Sequence, residues 1–126
     1  MIEGIETINQ WIADAVVKQL PEDWKSARVD AVFFSDSSDY VGEYALSSGR
    51  SVDFEITMEV TRAFKELRRK FKEAGKPLWG QASFELQSDG KFNMKWGYDN
   101  CDENGNTIWD EQEWHHRQEE RRNRLA

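Results

Sequence analysis

Between Ala82 and Tyr98 the chain alternates apolar and polar residues around a central Asp89-Gly90. Ala82, Phe84 and Leu86 lead in, and Phe92, Met94, Trp96 and Tyr98 lead out. A period of two places one set of side chains on one face of a strand, and Asp-Gly suits the positive φ angles of a tight turn. The segment is therefore expected to be an antiparallel hairpin. A hairpin with one aromatic face must be covered, and this requirement constrains what the rest of the chain can do.

Two amphipathic stretches are candidates for the cover. Ile5, Ile8, Ile12, Ala15, Val16 and Leu20 recur at intervals of three and four, with Trp11 beside them. Glu3 or Thr7 is placed to support the first turn, and Pro21 to end the helix. From about Phe54 the residues Ile56, Val60, Ala63, Phe64, Leu67, Phe71 and Ala74 keep a helical period until Gly75 and Pro77. Between these stretches Ala27, Val29, Ala31 and Phe33 alternate with polar residues, Ser35 to Asp39 reads as a turn, and a second strand runs from Tyr40 to Leu46. Ser47-Ser48-Gly49-Arg50-Ser51 then breaks the pattern. Past Tyr98 the Asp/Asn/Gly-rich segment to Asn106 is turn-like. Trp109 to Leu125 reads as a polar helix anchored by Trp114, with Arg121, Arg122 and Arg124 in a last turn that favours cations. The expected fold is α+β, in the order α-β-β-α-β-β-α. It is an antiparallel sheet built from hairpins, with helices packed mainly on one face and a single domain over residues 1–126.

The totals bound function. At 126 residues, with 6 Trp, 7 Phe and 3 Tyr, the chain is large enough to build a core without disulfides or metal. Its single cysteine, Cys101, has no disulfide partner within the chain and no Cys/His ligand set, which fits a reducing cytosol. Residues 1–20 lack the pattern of a signal peptide, and no stretch is apolar and long enough to span a bilayer. A cytoplasmic location is expected. The formal charge of -7 disfavours anionic membranes and direct nucleic-acid binding and favours a basic partner. The charge is uneven: residues 1–59 carry 12 acids against 4 bases, whereas residues 60–98 carry 4 acids against 9 bases.

Motifs that carry chemistry are sparse. Asn100-x-Asp102-x-Asn104-Gly105-Asn106, with Glu111 following, approximates the oxygen spacing of an EF-hand loop. Its first position is a neutral Asn, its apolar residue falls at Ile108, and a strand leads into it. A glycine-centred turn is the simpler reading, with a small calcium-binding or metal-dependent protein using residues 99–111 as the alternative. His115 and His116 are adjacent and so diverge on a helix, unlike an i, i+4 zinc pair. Glu113 and His116 are close enough to meet, without a nucleophile to complete a reaction. Cys101 among acids is expected to have a raised pKa. No catalytic residue, metal site or cofactor is assigned. Arg62, Lys65, Arg68, Arg69, Lys70 and Lys72 interleave with Phe64, Leu67 and Phe71, so they are expected on the exposed faces of a packed helix; a nucleic-acid adaptor using them is a third reading. The candidates for binding a partner are the acids Asp36, Asp39, Glu43, Asp53 and Glu55, together with Trp109 and Trp114. Glu55 and Glu59 also suit a helix N-terminus, and the two tryptophans are either core anchors or exposed anchors for a partner.

Four stretches carry a resemblance over nearly the whole chain. They are Pro21-Glu22-Asp23-Trp24; Trp79-x-x-Ala82-x-Phe84-x-Leu86-x-x-Asp89-Gly90-Lys91-Phe92; Tyr98-Asp99; and Glu113-Trp114-x-x-Arg117. Together they resemble the YezG-like immunity and antitoxin family. The resemblance implies an immunity protein of a polymorphic toxin or contact-dependent growth inhibition system. Such a protein binds the C-terminal toxic domain of a large secreted protein, often a nuclease, and blocks it. An acidic surface, a cytosolic location and the lack of a catalytic constellation agree with that implication.

Overall fold

In a computed structural model that describes residues 4–125, with the side chains of Arg122, Arg124 and Leu125 excepted, the chain is organised around the strand Trp24–Phe33 (β1). Its alternation sends Ala27, Val29, Ala31 and Phe33 into the main core and Arg28, Asp30 and Val32 to the opposite face. Antiparallel partners flank it on both sides: β2 (Ser38–Leu46) and β4 (Gln81–Gln87). The short β3 (Ser51–Phe54) extends β2 and β5 (Phe92–Gly97) extends β4, giving a five-stranded sheet in the order β3-β2-β1-β4-β5.

Two helices, α1 (Ile5–Val17) and α2 (Met58–Glu73), pack together over the apolar face. Ile8, Ile12 and Val16 of α1 and Val60, Phe64, Leu67 and Phe71 of α2 enter one core with Val29, Phe84 and Leu86. Each large apolar side chain buried there contributes about 2 kcal/mol. The two helices are also joined at the rim, where the Trp11 indole N–H donates to Glu59 Oε2 at 3.0 Å. Beyond α2 the aromatic cluster continues through Trp79, which meets Phe33, Phe71 and Trp96 with ring centroids 4.8 to 5.8 Å apart. The third helix, α3 (Glu111–Leu125), crosses the other face: His115 meets Asp39 and Arg121 meets Asp30. The α+β class, the antiparallel sheet and the bias of helices to one face are as the alternation requires. No helix among the described residues is long and apolar enough to cross a membrane.

The observed order is α-β-β-β-α-β-β-α, with β3 added to the expected set. Four residues are too few for a period to declare itself, and Phe54 and Ile56 fit a strand edge as well as a helix face. Helix α2 starts later than Phe54 because Thr57 caps it, accepting from the Val60 N–H at 3.5 Å. Helix α1 ends at Val17, before Pro21; its N-cap is Gly4, and Thr7 falls in its first turn. Glu3, the other candidate for the first turn, and the Arg122 and Arg124 side chains lie outside the described residues. In the β4–β5 hairpin Gly90 has a positive φ of 92° and Asp89 does not; the Gln87 N–H donates to the Lys91 carbonyl. This is a three-residue loop with glycine in the left-handed position.

One side chain of α2 holds the segment that leads into α3. Arg68 donates to the carbonyls of Trp79 (3.2 Å) and Gly105 (2.6 Å) and to Asn106 Oδ1 (3.1 Å), and its guanidinium lies 4.7 Å over the Phe33 ring. Gly105 sits against Leu78 with φ 78°, and a Cβ built there falls 2.2 Å from Leu78 Cβ.

Gly105→Ala is therefore expected to destabilise by about 3 kcal/mol, combining strain at positive φ with a clash. Gly90→Ala, with a similar φ but open space around it, is expected to lose about 1 kcal/mol. Urea unfolding of the two variants checks the difference; equal losses would show that the packing of Gly105 on Leu78 carries no weight.

Candidate partner-binding surface

The second face of the sheet is polar, and strand register lays out its groups. Asp53 of β3 lies opposite Glu43 of β2, Glu43 opposite Arg28 of β1, Arg28 opposite Glu85 of β4, and Glu85 opposite Asn93 of β5. Residues directly opposite on neighbouring strands project from the same face. Three acids thus share one row with a single arginine. In the next row Asp30 lies between Val41 and Ser83. With Gln118 and Arg121 of α3 as one wall, these rows line a groove of about 540 Å³ that also includes Ser26 and Gln87.

Asp30 is the buried charge of this groove, 8% exposed. Arg28 grips it with both Nε (2.8 Å) and Nη2 (3.0 Å), the Ser83 hydroxyl donates to it at 2.7 Å, and Arg121 Nη1 reaches it at 3.4 Å. Burial pushes its pKa above the ordinary carboxylate value, while the charge of Arg28 and the bond from Ser83 oppose that rise. Arg28 also approaches Glu85 at 3.5 Å, and Glu85 approaches Lys95 at 3.9 Å. The contact of Arg121 with Asp30 ties α3 to the sheet, while the outer acids of the row lie nearer solvent.

The acids singled out in the sequence fall along one side of this face. Glu43 and Asp53 line the groove. Asp53 also borders a shallow depression with Asp39 and Glu55 at the β2–β3 edge. Asp36 is exposed in the β1–β2 turn. Glu55 lies before the Thr57 cap, so it is Glu59 that sits in the first turn of α2. Trp109 is half-buried under the Arg117 guanidinium, 4.2 Å from the ring centroid. Trp114 is 2% exposed and anchors α3. Arg28, Asp30, Glu85, Gln118 and Arg121 escaped sequence reading. The signal for Asp30 was present, a charge between Val29 and Ala31 in the middle of an apolar strand.

The remaining sequence candidates are dispersed. In the 100–106 loop Asp102 Oδ1 accepts from the backbone N–H groups of Asn104 (2.8 Å) and Asn106 (3.0 Å), and the Asn100 carbonyl accepts from Ile108 N–H. Arg68 takes the Gly105 carbonyl and Asn106 Oδ1, so several of the oxygens that an EF-hand-like loop offers a cation serve the fold. Glu111 leaves the loop for the first turn of α3. Burial is the main cause of the raised Cys101 thiol pKa; Asp102 and Asp99 add less, and Arg68 opposes them. His116 pairs with Glu120, and Glu113 with Arg117, so Glu113 and His116 each have another partner. Within the basic cluster Arg69 pairs with Glu66 and Glu73, and Arg68 turns inward.

Compared with known proteins, the chain matches a family model described as "Immunity protein YezG-like" over residues 5–121. A search of curated proteins gave no match.

The raised pKa of Asp30 has a defined consequence for stability. The folded protein holds this proton more tightly than the unfolded chain does. The stability it contributes is fully present below the ordinary carboxylate pKa of 3.8 and is lost as pH rises through the raised value. The stability of the wild type relative to Asp30→Asn is thus expected to fall with rising pH across that window and then to level off. Urea unfolding over a pH series reads the slope; a rising difference would mean that the pairing with Arg28 outweighs burial.

Proposed function

The chain belongs to the YezG-like immunity protein family, and from that premise we propose that it binds and neutralises a cognate toxin in the cytoplasm of the cell that makes both. The partner we propose is the C-terminal toxic domain of a large secreted protein of a polymorphic toxin or contact-dependent growth inhibition system. Its chemistry is that of a basic nuclease. The observation that carries the choice of surface is the row Asp53, Glu43 and Glu85 around Arg28, continued at the β2–β3 edge by Asp39 and Glu55. A nuclease domain presents cations where it holds phosphates, and an acidic face competes for those cations.

The protein acts by occupancy and not by reaction. Solvent-near acids accelerate encounter, and contacts excluded from water set the dissociation rate. Trp109, half-buried just before α3, is an aromatic group that can supply such a contact. Trp114 contributes by holding α3 in place.

Two measurements test the proposal. The tagged protein purified from its own cell is expected to retain a stoichiometric basic toxin domain, identified by mass spectrometry, whose toxicity is relieved on co-expression; an isolated protein with no such partner would refute it. With the partner in hand, neutralising Asp36, Asp53 and Glu55 together is expected to slow association about tenfold at low salt and to flatten its salt dependence. Trp109→Ala is expected to raise the dissociation rate by roughly tenfold. Unchanged association kinetics would move the interface to another face.

A further inference from the structure

Asp39, Glu111 and His115 converge although they are distant in sequence. Their nearest donor atoms all lie within 4.8 Å of one another, and His115 Nε2 is 2.6 Å from Asp39 Oδ2. Glu111 and His115 stand four residues apart on α3 and therefore share one helix face. Asp39 comes from the start of β2, and its other oxygen, Oδ1, accepts the Tyr40 N–H at 2.8 Å, which turns Oδ2 toward the helix. One carboxylate is enough to hold an imidazole. A second carboxylate brought to the same point adds negative charge, which a bound cation offsets.

We propose that Asp39, Glu111 and His115 form a binding site for a divalent transition-metal ion of the Zn²⁺ class. Two carboxylates and a neutral imidazole are the donors that such an ion takes, and the imidazole selects against Ca²⁺ and Mg²⁺. Bonds of about 2.0–2.2 Å place neighbouring donors roughly 3–3.5 Å apart, so side-chain rotation without backbone movement closes the set. The backbone contact to Asp39 Oδ1 orients that ligand from behind. Three protein donors leave a fourth tetrahedral position for water. The ion ties the first turn of α3 to the start of β2, next to the acidic depression at the β2–β3 edge. The site uses none of the 100–106 loop, and ion binding to it can be read on the protein without the toxin.

Calorimetry with Zn²⁺ up to about 1 mM is expected to give saturable binding of one ion. Asp39→Asn, Glu111→Gln and His115→Ala are each expected to weaken binding at least tenfold, and His116→Ala to leave it unchanged. Zn²⁺ is also expected to raise the Tm of the wild type by several degrees, and Ca²⁺ at the same concentration to leave it unchanged. In the wild type, which removes any doubt about folding of variants, nuclear magnetic resonance is expected to shift the ring signals of His115 and not those of His116. The absence of saturable heat, binding that survives His115→Ala, or binding lost in His116→Ala or Cys101→Ser would each overturn the assignment.

Discussion

Arg68 links elements that would otherwise have little reason to stay together. From the middle of α2 its guanidinium reaches the carbonyl before β4 and two oxygens of the 105–106 turn, while its flat face covers Phe33 at the end of β1. A planar cation with several fixed donors suits three divergent acceptors at once. Hydrogen bonds from a charged donor contribute more than neutral ones, and leaving these acceptors bare in a half-buried place would cost further. The Thr107 N–H then adds to the Phe33 carbonyl, and Asp110 caps α3 by accepting from the Glu113 N–H at 2.8 Å. The position of α3 on the second face thus follows from contacts made near the opposite face.

That arrangement gives the two faces of β1 different work. One face is apolar and is sealed by α1 and α2. The other carries Arg28 and Asp30, and α3 covers only part of it. Asp30 shows what partial cover does: burial raises its pKa, and two arginines and a serine hold it in place. The charges further out, Glu43, Asp53 and Glu85, line the groove, and the Glu85 side chain is 34% exposed. A structural pair and the surface we propose for recognition are therefore adjacent on one sheet, and the distinction between them is burial.

Strong periods were readable in the sequence. The alternation from Ala82 to Tyr98 and the apolar stripes of α1 and α2 gave the sheet, the helices and most of the core. What escaped was either too short or set by tertiary contacts. Ser51–Phe54 has four residues, and its identity as a strand depends on pairing with β2. Arg68 belongs by sequence to a solvated basic run, and only the return of the 105–106 turn makes it an internal anchor. Among the surface residues the individual acids were visible, but register was not. No sequence pattern announces that Asp53, Glu43 and Glu85 share a row, or that Asp39 meets His115, which lies 76 residues away. Local chemistry sits in the sequence; convergence is supplied by the fold.

The central claim is that the partner engages the face carrying Glu43, Asp53 and α3. Hydrogen exchange of the protein alone and with its co-purified partner tests this claim most directly. The account predicts added protection in β2, β3 and the first turns of α3, with α1 unchanged. Protection confined to α1 and the outer side of α2, with β2 and β3 exchanging as in the free protein, would contradict it.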